Sequence, residues 1–359
     1  MKKRIKEYDI LRVLLVILVV IGHAGYYKIK TNGYGGIDYA VDGSNTMIYK
    51  IFKNIVEFIY CFHMPAFFSL SGALYFYEKE KYKTVNVLIK DKCFKLIKPF
   101  VLVSFLYVIP IKYLTGYFTE INFVDIIKGQ LFGFGNSHLW FLVSLFLVFI
   151  IVYILDKKVK NEKLKLVILF ILNLISGIGN QNVFVVKTLE NCVWFYVGYL
   201  FEERRIEYNK GLKKNSNEII LFVISVILFV IENTLPNIMI VKILKNIIKI
   251  VITILMVKLI YDLAFKLKDN EKIVNNKYIK KILNYSFEIY LYSDAINYVI
   301  LYIVSKININ ILCCNFGALA VIFIRIIFSL EISILVGYSI RKIKNLGRYE
   351  KHSTIKGVK

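Results

Sequence analysis

Long apolar runs separated by short basic breaks constrain this chain more than any other feature of its sequence. A helix of about 20 apolar residues crosses the roughly 30 Å hydrocarbon core of a bilayer, because each residue adds about 1.5 Å. The chain is therefore predicted to be all-α, a polytopic integral membrane protein with about ten transmembrane helices. The ten runs of spanning or near-spanning length lie at approximately residues 10–27, 51–77, 97–115, 139–155, 164–180, 183–201, 219–236, 239–262, 285–304 and 316–340.

The composition argues against a soluble protein and against a nucleic-acid partner. The chain is 57% hydrophobic with a mean hydropathy of +0.59, whereas soluble domains are nearer to about 45–50% apolar. The net charge of +23 comes from lysines in the breaks between runs, where they orient a membrane protein. The five cysteines form no CxxC pair, and the sequence has no HExxH, GxSxG or Walker motif. We expect membrane lipids as partners and no metal.

The distribution of basic residues predicts the topology. Of the 48 lysines and arginines, 34 lie in the two termini and in every second break, and 10 lie in the intervening breaks. The positive-inside rule then places both termini in the cytoplasm of a cell-membrane protein. Residues 177–181 form only a short break, which is also compatible with a re-entrant turn. We expect one transmembrane domain, residues 1–345, and a basic cytoplasmic tail, residues 346–359.

The first run carries ionisable residues where a spanning helix would have none. It reads DILRVLLVILVVIGHAGYY and contains Asp9, Arg12 and His23. Arg12 and His23 are eleven residues apart, so a helix projects both from one face, about 16 Å apart along its axis. Such residues usually face a protein interior or a wet cavity. The alternatives are that Arg12 snorkels to the interface and that His23 only bonds a neighbouring helix.

The second run combines a proline with small and polar residues. It reads CFHMPAFFSLSGALYFY, and Pro65 should kink the helix and free a carbonyl near His63. Ser69, Ser71 and Gly72 form a small patch that would allow close helix packing. This polar segment is compatible with a substrate contact and, equally, with packing alone.

Three lysines precede the third run. Lys92, Lys95 and Lys98 are three residues apart, so they are predicted to line one side of a helix. They could hold an anionic, phosphate-bearing ligand, or they could anchor the helix to lipid headgroups.

Further polar residues lie near the predicted outer surface and in the ninth run. His138 and Trp140, at the start of the fourth run, could form the rim of a sugar site with His23, or Trp140 could belong to an aromatic belt. Glu288 and Asp294 need partners within the membrane, and we expect Arg325 or a shared water. Because transport paths also need buried charges, the alternative function is a non-enzymatic transporter of an envelope polysaccharide precursor.

Four segments resemble the membrane acyltransferase 3 family, which modifies cell-envelope sugars. Arg12 and His23 follow a Tyr-Asp pair and match its first span, while FHMPAFFSLSG, residues 62–72, resembles its second-span signature. HLWFLVSLF, residues 138–146, resembles its fourth span, and NYSFEIYL, residues 284–291, a late helix.

The resemblance implies a reaction and a set of roles. Acyl-CoA, most often acetyl-CoA, is the implied cytoplasmic donor, and a hydroxyl of an extracytoplasmic or lipid-linked cell-envelope glycan is the acceptor. His23 is implied as the catalytic residue, as general base or as covalent carrier, with Arg12 and Asp9 in the catalytic set. The residues expected to contact the two substrates are Arg12, Lys92 and Lys95 for acyl-CoA, and His63, Ser71, His138 and Trp140 for the acceptor.

The sequence departs from the family pattern at two places. The Arg-x-x-Arg before the third span is Lys92 and Lys95 here, which keeps the charge but loses bidentate phosphate binding. Ser293 stands where members commonly have histidine. A member that keeps the fold without the activity is therefore a further alternative.

Overall fold

The computed structural model describes residues 5–31, 33–38, 46–118, 121–135, 137–176, 182–212, 217–236 and 238–356, and these are almost entirely helical. The break predicted at 177–181 lies outside them. One antiparallel hairpin, β1 (Lys28–Thr31) and β2 (Gly35–Asp38), pairs Lys28 with Asp38 and Thr31 with Gly35. The α-helices are α1 (Lys6–Ala24), α2 (Met47–Tyr60), α3 (His63–Phe76), α4 (Val85–Lys92), α5 (Lys98–Val103), α6 (Ile109–Leu114), α7 (Phe123–Leu131), α8 (Trp140–Lys158), α9 (Glu162–Ile175), α10 (Val183–Leu212), α11 (Glu218–Thr234), α12 (Met239–Leu267), α13 (Glu271–Val274), α14 (Lys277–Asn284), α15 (Ser286–Asn308) and α16 (Asn315–Lys356).

Each of the ten apolar runs overlaps helical residues, and the protein is an all-α, multi-pass membrane protein. By length and composition, five helical segments in the described part of the chain are apolar enough to span a bilayer. The count of ten spans and the side on which the termini lie stay predictions. The five segments are Met47–Phe76, Val85–Leu114, Trp140–Lys158, Ser286–Cys313 and Asn315–Ile343.

The break between α2 and α3 follows from Pro65. A proline cannot donate to the carbonyl four residues earlier, which here belongs to Cys61. The helix breaks at Cys61 and Phe62, and the Thr253 hydroxyl of α12 donates to the Cys61 carbonyl at 2.8 Å. The kink predicted from the sequence is therefore present, and a neighbouring helix satisfies the freed acceptor.

Small residues allow α3 and α10 to pack in backbone contact. A Cβ atom on Gly72 would lie 1.8 Å from the Phe195 carbonyl oxygen, and one on Gly198 would lie 1.9 Å from the Ser69 carbonyl oxygen. The Ser69 hydroxyl donates to the Trp194 carbonyl at 3.0 Å. The close-packing patch predicted in the second run therefore fits against α10.

Helix α1 lies inside the bundle. It contacts α2, α3, α12, α14, α15 and α16, and its residues Val13, Leu15 and Val16 are buried. The middle of this helix is thus enclosed by protein, while Asp9, Arg12 and His23 are half-buried.

Candidate active site

The carboxylate of Asp294 in α15 lies between two histidines from other parts of the chain. Its Oδ2 is 3.0 Å from Nδ1 of His138, and its Oδ1 is 3.7 Å from Nδ1 of His23. The two imidazole rings meet edge to face with their centroids 5.8 Å apart. The structure thus brings together the two histidines that were predicted to share a site, and it adds a carboxylate that joins them.

His23 is placed by the last turn of α1 and by two glycines beside it. A Cβ atom on Gly22 would lie 2.7 Å from the Tyr60 ring, and one on Gly25 would lie 2.3 Å from Val56. These glycines therefore let α2 approach the end of α1.

His138 is held by α15 on both sides of the imidazole and at its backbone. Its Nε2 lies 3.1 Å from the Leu291 carbonyl oxygen, while the Tyr290 hydroxyl donates to the His138 carbonyl at 2.8 Å. The residue is 8% exposed. His138 is therefore part of the buried cluster and not of an exposed rim.

The cluster has the parts of an acid–base site. A carboxylate beside one ring nitrogen orients an imidazole and leaves the other nitrogen available for proton transfer. Nδ1 of His23 is buried against Asp294, and the side chain keeps 14% exposure. Nε2 lies on the other edge of this ring from the one that faces Asp294.

A second buried polar network supports the segment that carries His138. The Lys112 ammonium donates to Gln130 Oε1 at 3.3 Å, and Gln130 Nε2 donates to Ser137 Oγ at 2.8 Å and Ser104 Oγ at 3.2 Å. All four side chains are 2% exposed or less. The network ties α6 and α7 to the residue before His138.

The other predicted catalytic residues, Arg12 and Asp9, lie half-buried on α1. Arg12 precedes His23 by three helical turns, so helix geometry puts it about 16 Å away along the axis. Their catalytic and donor-binding roles stay predictions.

Three residues predicted to bind the acceptor have partners within the protein. His63 is buried, with Nδ1 2.9 Å from the Ile59 carbonyl oxygen and its ring stacked on Tyr60. Ser71 donates to the carbonyl four residues earlier at 2.8 Å, which is a bond within its own helix. Trp140 stacks on Phe68, with centroids 6.4 Å apart. Their roles as acceptor contacts stay predictions.

Lys92 and Lys95 differ in burial, yet both approach the same carboxylate, with Nζ 4.0 Å and 3.0 Å, respectively, from Asp91 Oδ2. Their role in binding acyl-CoA stays a prediction. A π-helical turn at Cys93–Ile97 separates α4 from α5 and replaces the ordinary helical period. Lys92 is buried, with its Nζ 3.4 Å from Glu78 and 4.0 Å from the centroid of the Phe149 ring. Lys95 is exposed and pairs with Asp91 at 3.0 Å.

The same region contains a protonated phenol. Burial, and then the hydrogen bond to Asp91, raise the pKa of Tyr82 above its usual value, so this hydroxyl remains the donor to Asp91. Asp91 therefore accepts hydrogen bonds from both Tyr82 and Lys95. A phosphate that used Lys95 would have to compete with this carboxylate.

The acidic residues of the ninth run find partners other than the expected Arg325. Asp294 pairs with the two histidines, and Glu288 pairs with Arg341, whose Nε lies 2.7 Å away. Arg325 instead donates to backbone carbonyls and to an asparagine. Asp294 is thus the site residue to which sequence reasoning gave no role, although its position in an apolar run marked it as needing a partner.

Among the described residues, no group of three or more His, Cys, Asp or Glu side chains is arranged to hold a metal ion. The Asp294 cluster is therefore described by its protein contacts alone.

Comparison with known proteins identifies the class of this enzyme. A buried acid–base cluster within a bundle of apolar helices defines an integral membrane protein with a candidate catalytic centre. Residues 5–338 match the family described as an acyltransferase domain, the acyltransferase 3 type, so the chain belongs to that family and is a membrane acyltransferase. No curated protein and no solved structure gives a significant match.

Proposed function

We propose that this membrane acyltransferase moves an acyl group, acetyl, from cytoplasmic acyl-CoA to a hydroxyl of a cell-envelope glycan or lipid-linked sugar. The single observation that supports it best is the contact of His23 with Asp294 inside an acyltransferase-family bundle. Neutral imidazole beside a carboxylate is the side-chain pair best suited to take a proton from a hydroxyl near neutral pH.

In this mechanism His23 is the general base. Asp294 accepts the Nδ1 hydrogen of His23 and thereby leaves the Nε2 lone pair free for the acceptor hydroxyl. The hydroxyl oxygen attacks the thioester carbonyl carbon while its proton moves to Nε2. The carbon–sulfur bond then breaks, and the proton passes from His23 to the departing thiolate of CoA. Asp294 stabilises the imidazolium that forms between these two steps.

Nδ1 of His23 and Oδ1 of Asp294 lie 3.7 Å apart, beyond hydrogen-bond distance, so the mechanism requires them to approach each other when substrate binds. Catalytic hydrogen bonds are often long without substrate and shorten when the reactants bind. The carboxylate is fixed by its closer contact to His138, so His23 can approach it by a small rotation of its own ring.

The donor and acceptor would reach His23 from opposite ends of α1. Under the predicted topology Arg12 lies near the cytoplasmic surface, where it would meet the phosphates of acyl-CoA. The pantetheine arm would then run beside α1 toward His23, and the glycan would arrive from the outer side. This arrangement requires no soluble domain.

The proposal is tested by acyl transfer in membrane vesicles. Vesicles from cells that express the protein receive acetyl-CoA labelled in its acetyl group, and alkali-labile label on envelope glycan is measured. Incorporation above that of vesicles without the protein supports the proposal. The alternative is an exporter, because transport paths also use buried charges. It would be indicated if vesicles incorporate no label from acetyl-CoA and also transport glycan precursor when no acyl donor is present.

A further inference from the structure

Arg325 in α16 is a buried cation with no role in the proton transfer. It is 0% exposed, and no carboxylate among the described residues lies within salt-bridge distance of it. A buried guanidinium is costly unless its donors are satisfied. Here Nη1 donates to the Ala24 carbonyl at 2.6 Å, Nη2 to the His23 carbonyl at 3.0 Å, and Nε to Asn297 Oδ1 at 3.1 Å.

Two of these acceptors are at the end of the helix that carries His23. The last carbonyls of an α-helix have no partner within the helix and form the negative end of its dipole. Arg325 supplies both the hydrogen bonds and the positive charge that this end lacks. One of the two carbonyls belongs to His23 itself, so the guanidinium fixes the backbone from which the imidazole extends.

The third acceptor connects the same guanidinium to the helix that carries Asp294. Asn297 lies three residues after Asp294 in α15, close to one helical turn. Its Nδ2 donates to the Ser293 carbonyl at 3.1 Å, which orients the side-chain oxygen toward Arg325. One planar group therefore holds the end of α1 and the Asp294 turn of α15 in a fixed relation.

We propose that Arg325 is a positioning residue that sets the distance between His23 and Asp294 by clamping α1 to α15. This inference rests on the proposed role of His23 as base. The guanidinium directs hydrogen bonds from three nitrogens spread across one plane, whereas all the donors of lysine lie on a single nitrogen and cannot reach these three separate acceptors together. Arg325→Lys therefore keeps the buried charge and loses the clamp.

The first experiment measures the clamp without reference to any activity. Hydrogen–deuterium exchange of the detergent-solubilised full chain is followed in peptides that cover residues 18–27. In Arg325→Lys we expect several-fold faster exchange there than in wild type. Arg341→Lys is the matched control, because Arg341 lies on the same helix but bonds Glu288 and Asn284, and it should leave these peptides unchanged.

The second experiment measures labelled acetyl transfer from acetyl-CoA in vesicles. Arg325→Lys should lower kcat by about 10- to 100-fold, because a shift of about 1 Å in the position of a catalytic group can lower the rate by up to about 100-fold. The KM for acetyl-CoA should stay within about twofold, since Arg325 is far from the predicted donor site. Arg341→Lys should change neither constant.

The proposal requires both changes together in Arg325→Lys. The proposal is overturned if Arg325→Lys exchanges at the wild-type rate in residues 18–27, or if it exchanges faster but keeps the wild-type kcat. It is also overturned if Arg341→Lys has the same effects as Arg325→Lys. If Arg325→Lys does not reach the membrane, Asn297→Ala replaces it, because that variant removes the link to α15 alone. It must lower kcat at constant KM, and wild-type kcat overturns the proposal. A fully active His23→Ala would refute the proposed function while leaving the exchange result to stand.

Discussion

Asp294 determines how both histidines can act, because one carboxylate contacts Nδ1 of each ring. It can orient only His23 toward substrate, since the other nitrogen of His138 already faces the Leu291 carbonyl. The two histidines therefore differ in role although both touch the same acid. In the proposed mechanism His23 is the base, and His138 holds the carboxylate in place.

This assignment predicts the effect of Asp294→Asn. The change removes the negative charge with almost no change in volume, so the imidazolium of His23 loses its stabilising partner. We expect labelled acetyl transfer to fall by about 10²- to 10⁴-fold, the range for loss of such a group. Transfer is normalised to the amount of protein in the membrane.

The matched control for that variant is Glu288→Gln, the same change on the same helix. Glu288 pairs with Arg341 and has no contact with either site histidine. It should keep transfer within about threefold of wild type. Equal losses in the two variants, or no loss in Asp294→Asn, would contradict the role given to Asp294.

At the scale of residues, the cost of an ionisable group in an apolar run marked His23 as a candidate site residue and Asp294 as a residue that needs a partner. It did not predict which residues contact each other. Arg325 was expected beside Asp294, but it contacts the end of α1 instead. Helical periodicity describes the faces of one helix and does not identify the neighbour that packs on each face.

At the scale of helices, the sequence predicted a helix break that depends on a single residue. Pro65 requires a free carbonyl four residues earlier, and the break at Cys61 follows. The π-helical turn at Cys93–Ile97 has no such sequence signal. Lys92 before this turn is buried and Lys95 within it is exposed, a difference that spacing along an ordinary helix does not predict.

The contact between α3 and α10 gives a prediction about stability. In Gly198→Ala the new methyl group meets the Ser69 backbone, which cannot move without shifting α3. We expect destabilisation of about 1–3 kcal/mol, the usual cost of overpacking, seen as a lower apparent melting temperature in detergent. Gly211→Ala, on the same helix with nothing within 4 Å, is the control and should be neutral or slightly stabilising. Equal melting temperatures would show that α3 and α10 pack less closely.

At the scale of the whole molecule, the basic residues predict an even number of spans with both termini in the cytoplasm. A green fluorescent protein fused after Lys359 should therefore fluoresce, whereas alkaline phosphatase at the same point should be inactive. The reverse pattern would show that the count of ten spans is wrong by one.

The central claim is that His23 is the base of an acyl transfer, and one measurement tests it most directly. Full-length His23→Ala and wild type are produced at equal levels in membranes, and acetyl label from acetyl-CoA on envelope glycan is compared. We predict that the variant falls to the level of membranes without the protein. Glycan acetylation at the wild-type level in His23→Ala would contradict the claim.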